Sequence, residues 1–191
     1  PEFPAEWAPR ITIAAALGVC RGLRVFGADA AIKWPNDVYA GGKKLSGILS
    51  ELGMQGGERP FIVCGIGINV GQRAFSGELA ETATSLLLET GHTVALERVI
   101  SEVVCALAPL FPACGEDAAY AVLMEEYRRL SCTLGRQVKI TGVDGVRCGR
   151  AEGLDALGRL LLRTADGTLL TIQAGDVSLR NAEKSEEREK E

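Results

Sequence analysis

The decapeptide FIVCGIGINV, Phe61–Val70, leaves the chain few ways to fold. It is apolar and rich in β-branched residues, it follows a Gly56-Gly57 turn, and it reads as a strand. Side chains alternate across a strand. Ile62, Cys64, Ile66, Ile68 and Val70 therefore share one apolar face. Phe61, Val63, Gly65, Gly67 and Asn69 share the other, which loses its bulk at two successive positions and ends in an amide. Glycine inside a strand costs stability. It marks a bulge, a tight packing contact, or the close approach of a ligand or another backbone.

Upstream lies KWPNDVYAGGKKLSGIL, Lys33–Leu49. Adjacent glycines accept positive φ, so Gly41-Gly42 predicts a hairpin between strands at 37–40 and 43–52, with a short strand at 31–33 before them. A helix is expected over 8–26, because Ile13, Ala16, Leu17, Cys20 and Leu23 recur on one face, and Gly27 stops it. Further helices are expected over 80–90, over 95–111 with Leu96, Val99, Ile100, Val103, Leu107 and Leu110 on one stripe, and over 116–130 with Leu123, Tyr127 and Leu130 inward. After Cys132 short apolar strands alternate with Gly turns, and Asp144-Gly145 and Asp166-Gly167 mark hairpins. That spacing fits a small β-barrel of about fifty residues. The expected class is α+β: a mixed sheet with helices on one face over 1–132, a barrel over 133–184, and a charged, disordered tail over 185–191.

Composition narrows the function. The formal charge of −4 and a pI near 5.2 argue against nucleic-acid binding through charge alone. Six cysteines show no C-x-x-C, and the single histidine, His92, follows Gly91 as a turn residue. A zinc site needs clustered ligands, so scattered buried thiols in a reducing, cytoplasmic setting are expected, with no metal site on the chain. No apolar run reaches the roughly 20 residues of a membrane span, and no signal peptide or internal repeat is visible. The chain begins at Pro1 rather than Met, so a preceding segment is expected.

The chemistry concentrates in Lys33–Leu49. A lysine at a glycine turn presents a mobile cation where backbone can approach closely, which suits a phosphate or carboxylate. Asn36 can hydrogen-bond a base edge, and Asp37 can orient a lysine, a metal or an amine. Trp34 offers a flat apolar wall. Each residue also has a plainer reading: solvated lysines, and Asn-Asp turn chemistry after Pro35. Neither Walker A nor G-x-G-x-x-G is present, nor is G-x-S-x-G.

As an ordered set, KWPND, KKLSGIL, GIGINV at 65–70, ATSL at 83–86 and GDVSLRNAEK at 175–184 resemble the biotin protein ligases, over about 7–184. The resemblance implies a catalytic fold like that of class II aminoacyl-tRNA synthetases, followed by an SH3-like barrel. It also implies a two-step reaction. ATP and biotin give biotinyl-adenylate, with magnesium bound through the phosphates, and a lysine of a carboxylase's biotin carrier domain then takes the biotin. Lys44 matches the family's catalytic lysine and, with Gly47 and Gly65, its biotin-contacting positions. Asp37 matches the aspartate that orients the attacking lysine or assists the phosphates. Asn36 and Asn69 match positions near the adenine. Lys33 and Trp34 fall near the nucleotide, although a structural role for Trp34 is equally open. Arg180 matches a residue that brings the barrel to the nucleotide. A homodimer is compatible with the family, and DNA binding is not visible in this chain.

One family element, an upstream G-R-G-R-x-G-R loop that closes over biotin, has no counterpart here. The resemblance thus covers the downstream part of a catalytic domain and its barrel. Residues 1–191 alone are expected to be poorly stable or completed by a partner, and to adenylate biotin slowly. Three alternatives stay open: a catalytically incomplete remnant that binds nucleotide or carrier, a lipoate ligase, and a purely structural barrel-bearing protein.

Overall fold

The structure, a computed structural model, describes residues 8–53, 61–142 and 145–179. The chain divides into two compact units, Pro1–Cys132 and Thr133–Glu191.

In the first unit, helix α1 (Ala8–Arg24) is rich in alanine, the best helix former. It ends in Arg21 and Arg24, which favour the negative helix end. A single apolar face was expected, yet α1 is buried on nearly every side, from Ile11 through Leu23. Its alanines and glycines let neighbours approach from several directions, as a helix at the centre of a unit requires.

Four strands follow: β1 (Ala31–Lys33), β2 (Asp37–Ala40), β3 (Lys43–Gly53) and β4 (Phe61–Ile68), ordered β1-β2-β3-β4. Every ladder is antiparallel, which corrects the mixed sheet expected from sequence. Short connections allow only antiparallel pairing, whereas a parallel neighbour needs a crossover. Among the described residues, parallel pairing is confined to the isolated bridges Ile32–Ser131 and Lys44–Ala83. The turn at Gly41-Gly42 forms as expected, with φ of +54° and +79°. Gly56-Gly57 lies outside the described residues.

The helix expected over 80–90 is two short ones, α2 (Leu79–Thr82) and α3 (Leu86–Thr90). Between them the chain extends, and the Ser85 hydroxyl caps α3 by accepting from the Leu88 N–H at 3.2 Å. The helix expected over 95–111 breaks into α4 (Leu96–Leu107) and α5 (Leu110–Ala113) around Pro109, which has no N–H to donate. Only Val99, Val103 and Leu107 of α4 are buried, while Leu96 and Ile100 of the expected stripe are exposed. α6 (Asp117–Leu130) buries Tyr120, Leu123, Met124 and Tyr127. The Tyr127 hydroxyl donates to the Pro35 carbonyl at 3.0 Å and so ties α6 to the turn after β1.

In the second unit, β5 (Gln137–Gly142), β6 (Gly145–Leu154), β7 (Leu160–Arg163), β8 (Leu169–Ile172) and β9 (Asp176–Leu179) form one antiparallel sheet, ordered β8-β7-β6-β5-β9. Val138, Ile140, Ala151, Leu160, Leu162 and Val177 are its core. No ladder joins β8 to β9 among the described residues, so the sheet is open where a closed barrel was expected. Hairpin signals specify neighbours along a meander and carry no information about closure.

The thiols fall into classes. Cys20 and Cys114 are buried, Cys64 and Cys132 half-buried, and Cys105 and Cys148 exposed, so the expectation of buried thiols holds only in part. Burial pushes the Cys20 thiol up to about 12 and the Cys114 thiol up to about 11. Iodoacetamide at pH 8 is therefore expected to modify Cys105 and Cys148 of the native protein and to spare Cys20 and Cys114 until unfolding, read by peptide mass spectrometry. The raised thiols also set a direction in pH. Their contribution to stability is whole below the ordinary thiol value of 9.0 and is lost as pH climbs through about 12.

Candidate active site

Register aligns four residues across the first sheet: Lys33 opposite Asp37, Asp37 opposite Gly47, and Gly47 opposite Gly67. Directly opposed residues share a face. Lys44 joins this face through a bulge. Val38 pairs with Ser46 and Tyr39 with Lys44, so Leu45 is the extra residue of β3. Leu45 and Ser46 both bury their side chains, while Lys44 turns outward beside Asp37. The Lys44 Nζ stands 2.6 Å from Asp37 Oδ1.

The glycines keep the face clear. A Cβ at Gly47 would lie 3.0 Å from Lys44 Cε, 3.1 Å from its Nζ and 3.3 Å from Asp37 Oδ1, so the ion pair rests against bare backbone. At Gly65 and Gly67 an added Cβ would meet only the carbonyls of Leu49 and Gly47, at 3.8 and 3.9 Å. The surface there is open, and Phe61 and Val63 on the same side are exposed. On the other face of β4, Ile62, Cys64, Ile66 and Ile68 are half-buried.

Backbone bonds hold Lys44 in place. The Thr84 N–H donates to the Lys44 carbonyl at 2.9 Å, and the Asn69 N–H donates to the Leu45 carbonyl at 3.0 Å. The Asn69 side-chain Nδ2 donates to the Thr84 carbonyl at 3.0 Å. Thr84 in turn donates its hydroxyl to Glu89, whose carboxylate lies over Gly41. Asn36 works similarly in the turn: its Nδ2 donates to the Ile48 carbonyl, and its own carbonyl accepts from the Ile48 N–H.

The remaining sequence candidates are distributed as follows. Lys33 is buried to 8% exposure, and its Nζ donates to the Tyr39 hydroxyl at 3.1 Å. Trp34 is 2% exposed and belongs to the core, so it offers no open wall. Arg180 lies outside the described residues. Tyr39, Thr84 and Glu89 also touch this site; Tyr39 lies within Lys33–Leu49 and Thr84 within ATSL without being expected site residues, and Glu89 carries no motif. Alternation along Asp37–Ala40 would have put Tyr39 on the Asp37 face, whereas nothing in the sequence joins Thr84 and Glu89 to the Gly41-Gly42 turn.

The arrangement is a cation and a carboxylate on a glycine-cleared sheet face, with a second lysine in the same row. Such a face can bind an anion and let its backbone come close. Among the described residues there is no cluster of three His, Cys, Asp or Glu able to hold a metal, and no helix long and apolar enough to cross a membrane.

Comparison with known proteins agrees with this geometry. The Biotin/lipoate A/B protein ligase family matches residues 1–69, and the biotin protein ligase C terminal domain matches residues 133–180. The chain is 31% identical over 184 residues to the bifunctional ligase/repressor BirA of Bacillus subtilis, covering 94% of this chain and 55% of that protein. It thus spans about half the length of that relative. It is 31% identical over 176 residues to the biotin–[acetyl-CoA-carboxylase] ligase of Paracoccus denitrificans, covering 87% of this chain and 72% of that one. The biotin protein ligase of Aquifex aeolicus in complex with biotin and ATP superposes with a TM-score of 0.77 at 30% identity, over 91% of this chain and 72% of that one. With motif order, sheet register and relatives in agreement, the chain belongs to the biotin protein ligase family.

Proposed function

We propose that the protein attaches biotin to a lysine of a carboxylase's biotin carrier domain through biotinyl-5'-AMP. The observation that carries this reading is the Lys44 ammonium, held on a bared glycine face beside Asp37. In the first step the biotin carboxylate attacks the α-phosphorus of ATP, an O–P bond forms, and pyrophosphate leaves. Two anions must meet, and a preorganised cation relieves their repulsion and stabilises the charge of the transition state. Lys44 supplies that cation. In the second step the carrier lysine's amine attacks the acyl carbon and AMP leaves with the bonding electrons. We assign Asp37 to orienting that amine or to assisting the phosphates, a role that its ion pair with Lys44 supports.

Gly47 and Gly65 let biotin lie against the strands. Asn36, Asn69 and Lys33 serve the nucleotide, the two asparagines by holding the loops through which adenine is reached. Trp34 contributes by packing beneath the turn, and Arg180 is assigned to the nucleotide by its match to the family. Magnesium rides on the nucleotide's own phosphates, because it keeps several waters and needs few protein ligands. The strand order β8-β7-β6-β5-β9 supports an SH3-like arrangement of the second unit. The family's carboxylase substrates favour the cytoplasm as the setting.

The test is direct. The full-length gene product, with ATP, biotin and a purified carrier domain, is expected to give a streptavidin-reactive carrier that depends on all three. Lipoate in place of biotin is expected to give no modified carrier by mass spectrometry. Transfer of lipoate in preference to biotin, or tight binding of both ligands by titration calorimetry without any transfer, would overturn the assignment.

A further inference from the structure

Lys44 stands just past a Gly-Gly turn, a backbone with wide conformational freedom, and at the limit of its sheet. The β3–β4 ladder stops at Ser46 opposite Ile68, so β4 does not reach the lysine. Two residues from outside the strands take its place. The Asn69 N–H donates to the Leu45 carbonyl at 3.0 Å, and the Thr84 N–H donates to the Lys44 carbonyl at 2.9 Å. Lys44 also forms a parallel bridge with Ala83. The direction in which the Lys44 side chain leaves the sheet therefore depends on where Thr84 is fixed.

Thr84 is fixed by its side chain. It is buried, and its hydroxyl donates to Glu89 Oε1 at 2.5 Å. A hydroxyl bonded to a carboxylate makes a short bond, stronger than a neutral one. Glu89 sits on α3, whose start is anchored separately by Ser85: its hydroxyl caps the helix and donates to the Gln72 carbonyl at 2.6 Å. The same carboxylate reaches the turn, because a Cβ on Gly41 would lie 3.1 and 3.2 Å from its two oxygens. One acid thus braces both arms of the hairpin: Gly41 by contact, and Lys44 through Thr84. We infer that Glu89, acting through Thr84, is a positioning residue: it fixes the Lys44 backbone so that the ammonium stays over Gly47 beside Asp37. The catalytic consequence rests on the ligase reading above, in which Lys44 supplies the cation for adenylation.

Glu89→Ala removes the acceptor, and Thr84→Val removes the hydroxyl while keeping the shape. In the full-length gene product each is expected to lower kcat for biotin-dependent pyrophosphate–ATP exchange about tenfold, the size of one hydrogen bond to a charged group. KM for biotin should stay near its starting value. Thr84→Ser restores the hydroxyl and should recover most of the loss. Glu89→Ala and Thr84→Val together should cost no more than either alone, and Glu89→Ala should add nothing in a Lys44→Met background. A second readout needs no activity. In Glu89→Ala the Thr84 amide should exchange with deuterium several-fold faster, read by NMR, while the amides of α1 keep their rates. Unchanged exchange at Thr84, or an equal fall in kcat with and without Lys44, overturns the proposal. Should the unaltered protein adenylate no biotin, the ligase reading fails instead, and deuterium exchange alone decides whether Glu89 holds the Lys44 backbone.

Discussion

Lys44→Met is expected to lower the rate of biotin adenylation by about 100- to 1,000-fold, the range seen when one preorganised charge-stabilising group is removed. Folding stability should move little. The Lys44 side chain is 45% exposed, and ion pairs that open to solvent contribute only about 0–1 kcal/mol. The catalytic loss is larger because removing the ammonium does two things. It takes away the cation, and it leaves Asp37, only 15% exposed, without its ion-pair partner on the face where the proposed reaction would bring two anions together. Lys44→Arg should recover only part of the rate. A planar guanidinium is wider than an ammonium, and the space over Gly47 is already filled to 3.1 Å by Nζ. Single-turnover formation of biotinyl-adenylate, beside urea melts of the same samples, separates the two effects. A Lys44→Met protein that adenylates within twofold of the original would remove Lys44 from the mechanism.

The second large effect concerns the frame. α1 and α4 cross at Gly18 and Gly22, one helical turn apart. A Cβ at Gly22 would lie 2.8 Å from the Val103 Cα and 3.1 Å from its N. Those are backbone atoms, so the crossing itself must open. In an ordinary helix Gly→Ala is favourable by about 1 kcal/mol through propensity. Here overpacking should reverse the sign, for a net loss of about 1–3 kcal/mol. At Gly18 the two nearest atoms are Leu107 Cδ2 and Cγ, at 2.5 and 2.9 Å, which can rotate away, and the Leu107 Cα stands farther off at 3.2 Å, so Gly18→Ala should cost less. Urea unfolding of both variants checks the order. Gly22→Ala at or above the stability of the original would show that α4 moves freely against α1.

Much of this architecture was legible in the chain because the signals were local. Gly41-Gly42 can form only a few turns, and the alternation of Phe61–Val70 gives both the strand and its bared side. The order of motifs carried the family. What stayed hidden depends on contacts between distant segments. The two inward residues Leu45-Ser46 interrupt the alternation of β3, and no local rule says that a bulge, rather than the end of a strand, absorbs the break. Trp34 next to a charged motif left a binding wall and a structural role equally open, and only long-range packing shows that its side chain is buried. The apolar stripe of α4 was read whole, although the glycine crossing covers only the half that carries Val99, Val103 and Leu107. Closure of the second sheet depends on its two outer strands meeting, which turn residues do not encode.

The fully buried Leu45 beside Lys44 also guards against misassembly. If the hairpin slid by a single position, a leucine would swap places with an ammonium, leaving oil in water and a naked charge in the interior. Exposing the leucine would cost about 1.5–3 kcal/mol and burying an unpaired charge several more, together a large share of a domain's stability of about 5–15 kcal/mol. Aim and foldability are thereby coupled: a molecule that has folded at all has its cation pointing the right way.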